Sequence, residues 1–206
     1  MFFARFENRR YPTGSNVQLY AKILQEQAID QPQRDHAELS ARPLLLVAFN
    51  PKGRKPDRDK VLRAIGEIPA KGKSKPVNPF YNKTDLNHIE WLRAIGEHKF
   101  VLAPFGHGLD THRTSEILLM GGIPVMRRSG ISSCYDDSDN AFKGSNRGSL
   151  PVVILESWAN LTKDRLDFEW ERISKIPYNT WDHNRLFMNN WLERIAVSNS
   201  TSTLRH

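Results

Sequence analysis

The chain carries a single cysteine, Cys134, among its 206 residues. That excludes an intramolecular disulfide and any zinc site built on cysteines. No run approaches the roughly 18 consecutive apolar residues that a helix needs to cross a bilayer. The opening Met1-Phe2-Phe3-Ala4-Arg5-Phe6-Glu7 turns charged too early for a secretory leader. Glycine is missing where it would be diagnostic. Gly106 and Gly108 are followed by Asp110 and Thr111, so there is no Gly-x-Gly-x-x-Gly fingerprint, which argues against a dinucleotide-dependent dehydrogenase. No internal repeat of fixed period is present either.

What the chain has in excess is positive charge: 30 Lys and Arg against 23 Asp and Glu, a formal net charge of +7. An anionic partner follows from this, although charge alone does not choose between nucleic acid, an acidic membrane surface and a phosphorylated small molecule. The basic residues are scattered and match no nucleic-acid-binding module, so nucleic acid is not the expected partner. Hydrophobic residues make up 39% of the chain and gather in short runs, enough for one domain core.

The pattern divides the chain into a polar arm over 1–42, one ordered domain over 43–196 and a polar tail over 197–206. A short helix is expected in the arm after Gly14-Ser15-Asn16, and 25–42 reads as a linker. The apolar runs at 44–49, 99–104, 123–126 and 150–155 read as buried parallel strands. Between them, helices are expected over 57–65 with Asp57 as cap, and over 85–96 burying Leu86, Ile89, Leu92 and Ile95 with Trp91 on a flank. Others are expected over 112–120, 162–173 and from Trp181 or Asp182 to residue 195. Long loops are expected over 71–79 and 127–149. Alternating strands and helices predict an α/β fold, a Rossmann-like parallel sheet with helices on both faces, whose ligands bind at the carboxyl ends of the strands.

The candidate site lies where the strand over 99–104 leaves through Phe105-Gly106-His107-Gly108-Leu109-Asp110 into the next helix. Free backbone N–H groups and the helix dipole favour an anion there, and Gly106 and Gly108 let a ligand approach the backbone. Arg113 offers a forked, permanently charged guanidinium suited to phosphate oxygens. Glu116, one turn on, can accept hydrogen bonds from ribose hydroxyls. Together these residues compose a reader of a nucleotide diphosphate; the plainer alternative is a turn followed by an exposed Arg113–Glu116 helical pair. His107, Asp110 and His112 weigh less as metal ligands than as phosphate contacts or capping neighbours. Asp136, Asp137 and Asp139 read as a solvated acidic loop rather than a metal motif, so no metal site is expected. Lys52, Arg54, Lys55 and Arg58 form a basic patch that is either a solvated loop or a contributor to phosphate attraction. Trp158 reads as core, Tyr178, Trp181 and Trp191 as packing residues. Asn82, Asn160 and Asn199 open glycosylation sequons of little weight.

The run Lys99-Phe100-Val101-Leu102-Ala103-Pro104-Phe105-Gly106-His107-Gly108-Leu109-Asp110-Thr111-His112-Arg113-Thr114-Ser115-Glu116, continuing to Gly122-Ile123-Pro124-Val125, resembles the donor-binding segment of the exostosin-like glycosyltransferases, nearest to the C-terminal lobe of their ribitol-phosphate xylosyltransferase branch. Leu150-Pro151-Val152-Val153-Ile154-Leu155-Glu156-Ser157-Trp158 also looks like that lobe, and the resemblance extends over about 42–175. It implies the C-terminal lobe of a GT-B enzyme holding a UDP-sugar donor, with no cofactor beyond that substrate. Glu116 would lie on the ribose, Arg113, Gly106, His107 and Gly108 at the diphosphate, and Arg58 would reach in from the first loop. It further implies transfer to a glycan or glycoprotein acceptor, xylose being the sugar inherited from the nearest likeness, and a Golgi location where an anchor is present. The 42 leading residues supply neither that anchor nor a first lobe. The expectation is therefore a lobe that needs further chain or another polypeptide for catalysis, with no residue here read as the base. The alternative is a non-catalytic nucleotide- or glycan-binding module.

Overall fold

The computed structural model describes residues 40–49, 56–66, 86–106, 108–109, 111–136, 149–177 and 180–186. Its strands are β1 (Leu45–Leu46), β2 (Phe100–Leu102), β3 (Ile123–Arg127) and β4 (Val153–Leu155). Its helices are α1 (Pro56–Gly66), α2 (His88–Gly96), α3 (His112–Leu119) and α4 (Lys163–Ile173), with 3-10 turns at Ser132–Cys134, Trp158–Asn160 and His183–Leu186. All pairings are parallel, in the order β1-β2-β3-β4, with Leu45 opposite Phe100, Val101 opposite Pro124 and Val125 opposite Val153.

Alternation along each apolar run covers both faces of the sheet. Leu45, Val47, Phe100, Leu102, Val125, Val153 and Leu155 pack with Val61 of α1 and Leu166, Trp170 and Ile173 of α4. Leu46, Ala48, Val101 and Ala103 face the other way, onto Trp91, Leu92 and Ile95 of α2 and Ile117 of α3. The protein is thus an α/β sandwich with helices on both faces. Its strand order runs consecutively, so among the described strands no reversal opens the crevice of a doubly wound sheet. A ligand at this edge must be met by the loops.

Several expectations change in detail. α2 starts at His88 rather than 85, because Asn87 and Glu90 form a reciprocal capping box in which each side chain takes the other's backbone N–H. Ile89 is 41% exposed and Trp91 only 7% exposed, the reverse of the expected packing. α1 begins at Pro56, and the Asp57 carboxylate is spent on tertiary contacts instead of a cap. Part of the expected loop over 127–149 is ordered: after the turn Ser132–Cys134, Tyr135 is buried beside Leu118, Met126 and Leu150. The expected final helix is, as far as residue 186, a single 3-10 turn holding a buried Arg185–Asp182 ion pair of 3.2 Å. The helix expected after Gly14, the loop over 71–79, residues 137–140, Tyr178, Trp191 and the sequons at Asn82 and Asn199 lie outside the described residues.

α3 is closed by Gly121 at φ 72°, a left-handed position that suits glycine. Next to it, Gly122 gives its N–H to the Ile117 carbonyl at 2.8 Å. A Cβ on Gly122 would lie 2.7 Å from Ile95 Cγ2 and 3.0 Å from Ile117 Cγ2. Glycine at this position lets α2 and α3 close against the sheet.

Candidate functional site

The carboxyl ends of the four strands carry two linked groups of polar side chains. The first surrounds Arg113, in the opening turn of α3. Its Nη1 donates to the carbonyl of Ala48, at the end of the β1 run, at 2.7 Å. Its guanidinium carbon lies 4.3 Å from the centre of the Trp91 ring, a cation–π stack. Burial pushes the Arg113 pKa down to about 10, with nearby Glu116 opposing the shift and Arg58 adding to it. Arg113 remains a cation at neutral pH. Arg58, whose guanidinium stands 5.7 Å over the Phe49 ring, is itself lowered by burial.

Glu116 sits one turn along α3 and is 3% exposed. Its Oε2 accepts from Trp91 Nε1 at 2.9 Å, while Oε1 makes no hydrogen bond and faces His88 Nε2 at 3.4 Å. A buried carboxylate oxygen whose nearest donor among the described residues stands at 3.4 Å has room for a closer one. Arg58, Arg113 and Glu116, from two helices, thus share one neighbourhood, and the alternative of an exposed Arg113–Glu116 pair is excluded by burial. Trp91, which sequence reasoning placed on a flank, is the residue that braces both. The signal for it was an indole N–H on a helix face that must find an acceptor once buried.

The second group centres on Asp57, a buried carboxylate in the first turn of α1. Its Oδ2 accepts the Phe105 N–H at 3.0 Å, and its Oδ1 accepts from Arg127 Nε at 2.8 Å and Trp158 Nε1 at 2.9 Å. One side chain therefore fastens the ends of β2, β3 and β4 to α1. Arg127 also stacks on the Phe105 ring at 4.9 Å. Trp158 is core, as read, but its indole N–H makes it part of this edge.

Gly106 follows Phe105 directly. Among the described residues a Cβ there would meet nothing closer than Thr111 Cγ2 at 3.6 Å, so they do not require glycine at this position. Gly108 is exposed on the same loop, which leads to Thr111, the N-cap of α3. Thr111 makes no side-chain cap among the described residues, and its carbonyl accepts the Thr114 N–H at 3.1 Å. His107 and Asp110 lie outside the described residues, as do Lys52, Arg54 and Lys55. Asp136 stands 3.7 Å from Arg128, in an ion pair, and its neighbours Asp137 and Asp139 lie outside the described residues. Among the described residues no helix is long and apolar enough to cross a membrane. No family model matches the chain, and no curated protein matches it.

Proposed function

We propose that this chain is the UDP-sugar-binding lobe of a glycosyltransferase of the exostosin-like, GT-B kind. The observation that carries the reading is the convergence of Arg113, Arg58 and a buried Glu116 beside the N-terminus of α3 at the carboxyl edge of a parallel sheet. In this reading the diphosphate lies against the Gly106–Gly108 loop and the first N–H groups of α3, with Arg113 and Arg58 supplying charge. Glu116 Oε1, which stands 3.4 Å from His88 Nε2, takes a ribose hydroxyl once the His88 side of the pocket admits it. As the bond to the sugar breaks, negative charge grows on the leaving diphosphate. Fixed cations and N–H dipoles at a partly buried site stabilise that charge without reorganising, and a divalent ion is not needed for it. The base and the acceptor surface come from outside this lobe, the acceptor being a glycan or glycoprotein. Xylose as the sugar, and a Golgi setting, rest on the sequence resemblance alone.

The test is calorimetric titration of the full chain with UDP, repeated on Arg113→Gln and Arg58→Gln. Saturable binding that weakens about tenfold or more in each variant, roughly 1.4 kcal/mol, is the expected result. Urea unfolding of the same variants separates a lost contact from a lost fold. A folded chain that does not bind UDP overturns the reading. UDP binding with no hydrolysis or transfer by the chain, even when supplied with a first lobe, favours the non-catalytic module instead.

A further inference from the structure

A cleft of about 340 Å³ opens on the α1 side of the same edge, walled by Lys60, Arg63 and Ala64 of α1, Arg127 at the end of β3, and Glu156 through Ala159 after β4. Its volume is at the small end of the range for small-molecule sites, about 300–1,000 Å³. Among the described residues it shares no lining residue with the Arg113–Glu116 group.

The charges around the cleft do not balance. Glu156, the one acidic residue lining it among the described residues, is ion-paired to Arg128. Arg127 is held by Asp57 through Nε, which leaves the amino groups of its guanidinium for another acceptor. Among the described residues Lys60 has no ion-pair partner, and Arg63 gives only its Nε–H to the Asp59 carbonyl, at 3.3 Å. Lys60 and Arg63 stand one turn apart on one helix face, so both heads reach the same space. On the opposite wall the Ser157 hydroxyl accepts from the Ala159 N–H and keeps its own proton to donate. Three cations and a hydroxyl, with two alanines and Trp158 as the apolar part of the wall, fit a small, charged, polar ligand.

We propose that this cleft is a second anion site, binding a phosphate group carried on a small polar molecule through Lys60, Arg63 and Arg127. Arg127 makes the forked contact, preset by its bond to Asp57, and Lys60 and Arg63 add charge from the other wall. The inference goes beyond the donor reading and does not depend on it.

The experiment is titration of the full chain with inorganic phosphate at fixed ionic strength, with and without saturating UDP. Saturable binding that persists in UDP is expected. The double variant Lys60→Gln/Arg63→Gln, two exposed positions where folding is unaffected, should weaken it about five- to tenfold, as expected for loss of two partly screened charge contacts. Arg113→Gln should leave it unchanged. No saturable phosphate binding, an unchanged affinity in the double variant, or displacement by UDP would overturn the proposal. If UDP itself fails to bind, the donor reading falls, while the Lys60/Arg63 comparison still decides this one.

Discussion

Trp158 donates its indole N–H to Asp57 Oδ1 at 2.9 Å, joining residues 101 positions apart in the chain. The same carboxylate holds Arg127 and the Phe105 N–H. These bonds are made where four strands end, so Asp57 fixes the loops that any ligand at this edge must meet. Three donors on one carboxylate leave no room for an amide in its place.

In Asp57→Asn, whichever way the amide turns, an NH₂ group faces either the Phe105 N–H or the Arg127 and Trp158 donors. The expected cost is about 1–3 kcal/mol, the usual penalty for leaving a buried donor unsatisfied. Arg127 is partly exposed, which keeps the cost below that of breaking a fully buried ion pair. Urea unfolding followed by tryptophan fluorescence measures it. A loss under about 0.5 kcal/mol, the scatter of ordinary surface changes, would show that Asp57 does not fasten this edge.

The sheet was legible because its strands are short apolar runs bounded by glycine, proline or charge, with alternation serving both faces. The candidate site was legible only in part. Arg113 and Glu116 stand one turn apart on a helix that follows a strand, which is local information. Trp91 and Glu116 meet across 25 residues, and Asp57 meets its three partners across 48, 70 and 101. No local pattern announces such contacts. Asn87-His88-Ile89-Glu90 was a different matter, since a capping box is written in four residues, and it starts α2 at His88.

His98 makes stability depend on pH. Its Nδ1 lies 2.8 Å from the Ala94 carbonyl, which only accepts, so Nδ1 carries the proton in the neutral ring. Burial lowers the pKa from its usual 6.5, outweighing the bond to Ala94 and the charge of Glu97, with Arg42 also lowering it. The unfolded chain therefore takes up a proton near pH 6.5 while the folded chain does not. Stability contributed by the neutral ring is present above 6.5, falls as pH drops towards the folded pKa, and levels off below it. Urea midpoints measured between pH 7.5 and 5 should decline more steeply in the parent than in His98→Gln. Equal slopes would remove His98 as the cause.

Two glycines separate what folding needs from what a ligand needs. At Gly122 an added Cβ meets Ile95 Cγ2 at 2.7 Å and Ile117 Cγ2 at 3.0 Å, branches fixed to rigid helical side chains. Gly122→Ala should cost about 1–3 kcal/mol through overpacking. Gly130→Ala, with nothing within 4 Å of its Cβ, is the control and should stay within about 0.5 kcal/mol of the parent. At Gly106 the added carbon sits at an ordinary 3.6 Å from Thr111 Cγ2, so Gly106→Ala should unfold in urea like the parent. If a diphosphate rests on this loop, that methyl group stands where the phosphate oxygens approach the backbone, and UDP affinity should fall about tenfold, roughly 1.4 kcal/mol. A parent-like urea curve with weakened UDP binding assigns the glycine to the ligand. A parent-like curve with unchanged UDP binding means that the loop does not touch the diphosphate, and the anion would then have to be held by Arg113 and Arg58 alone.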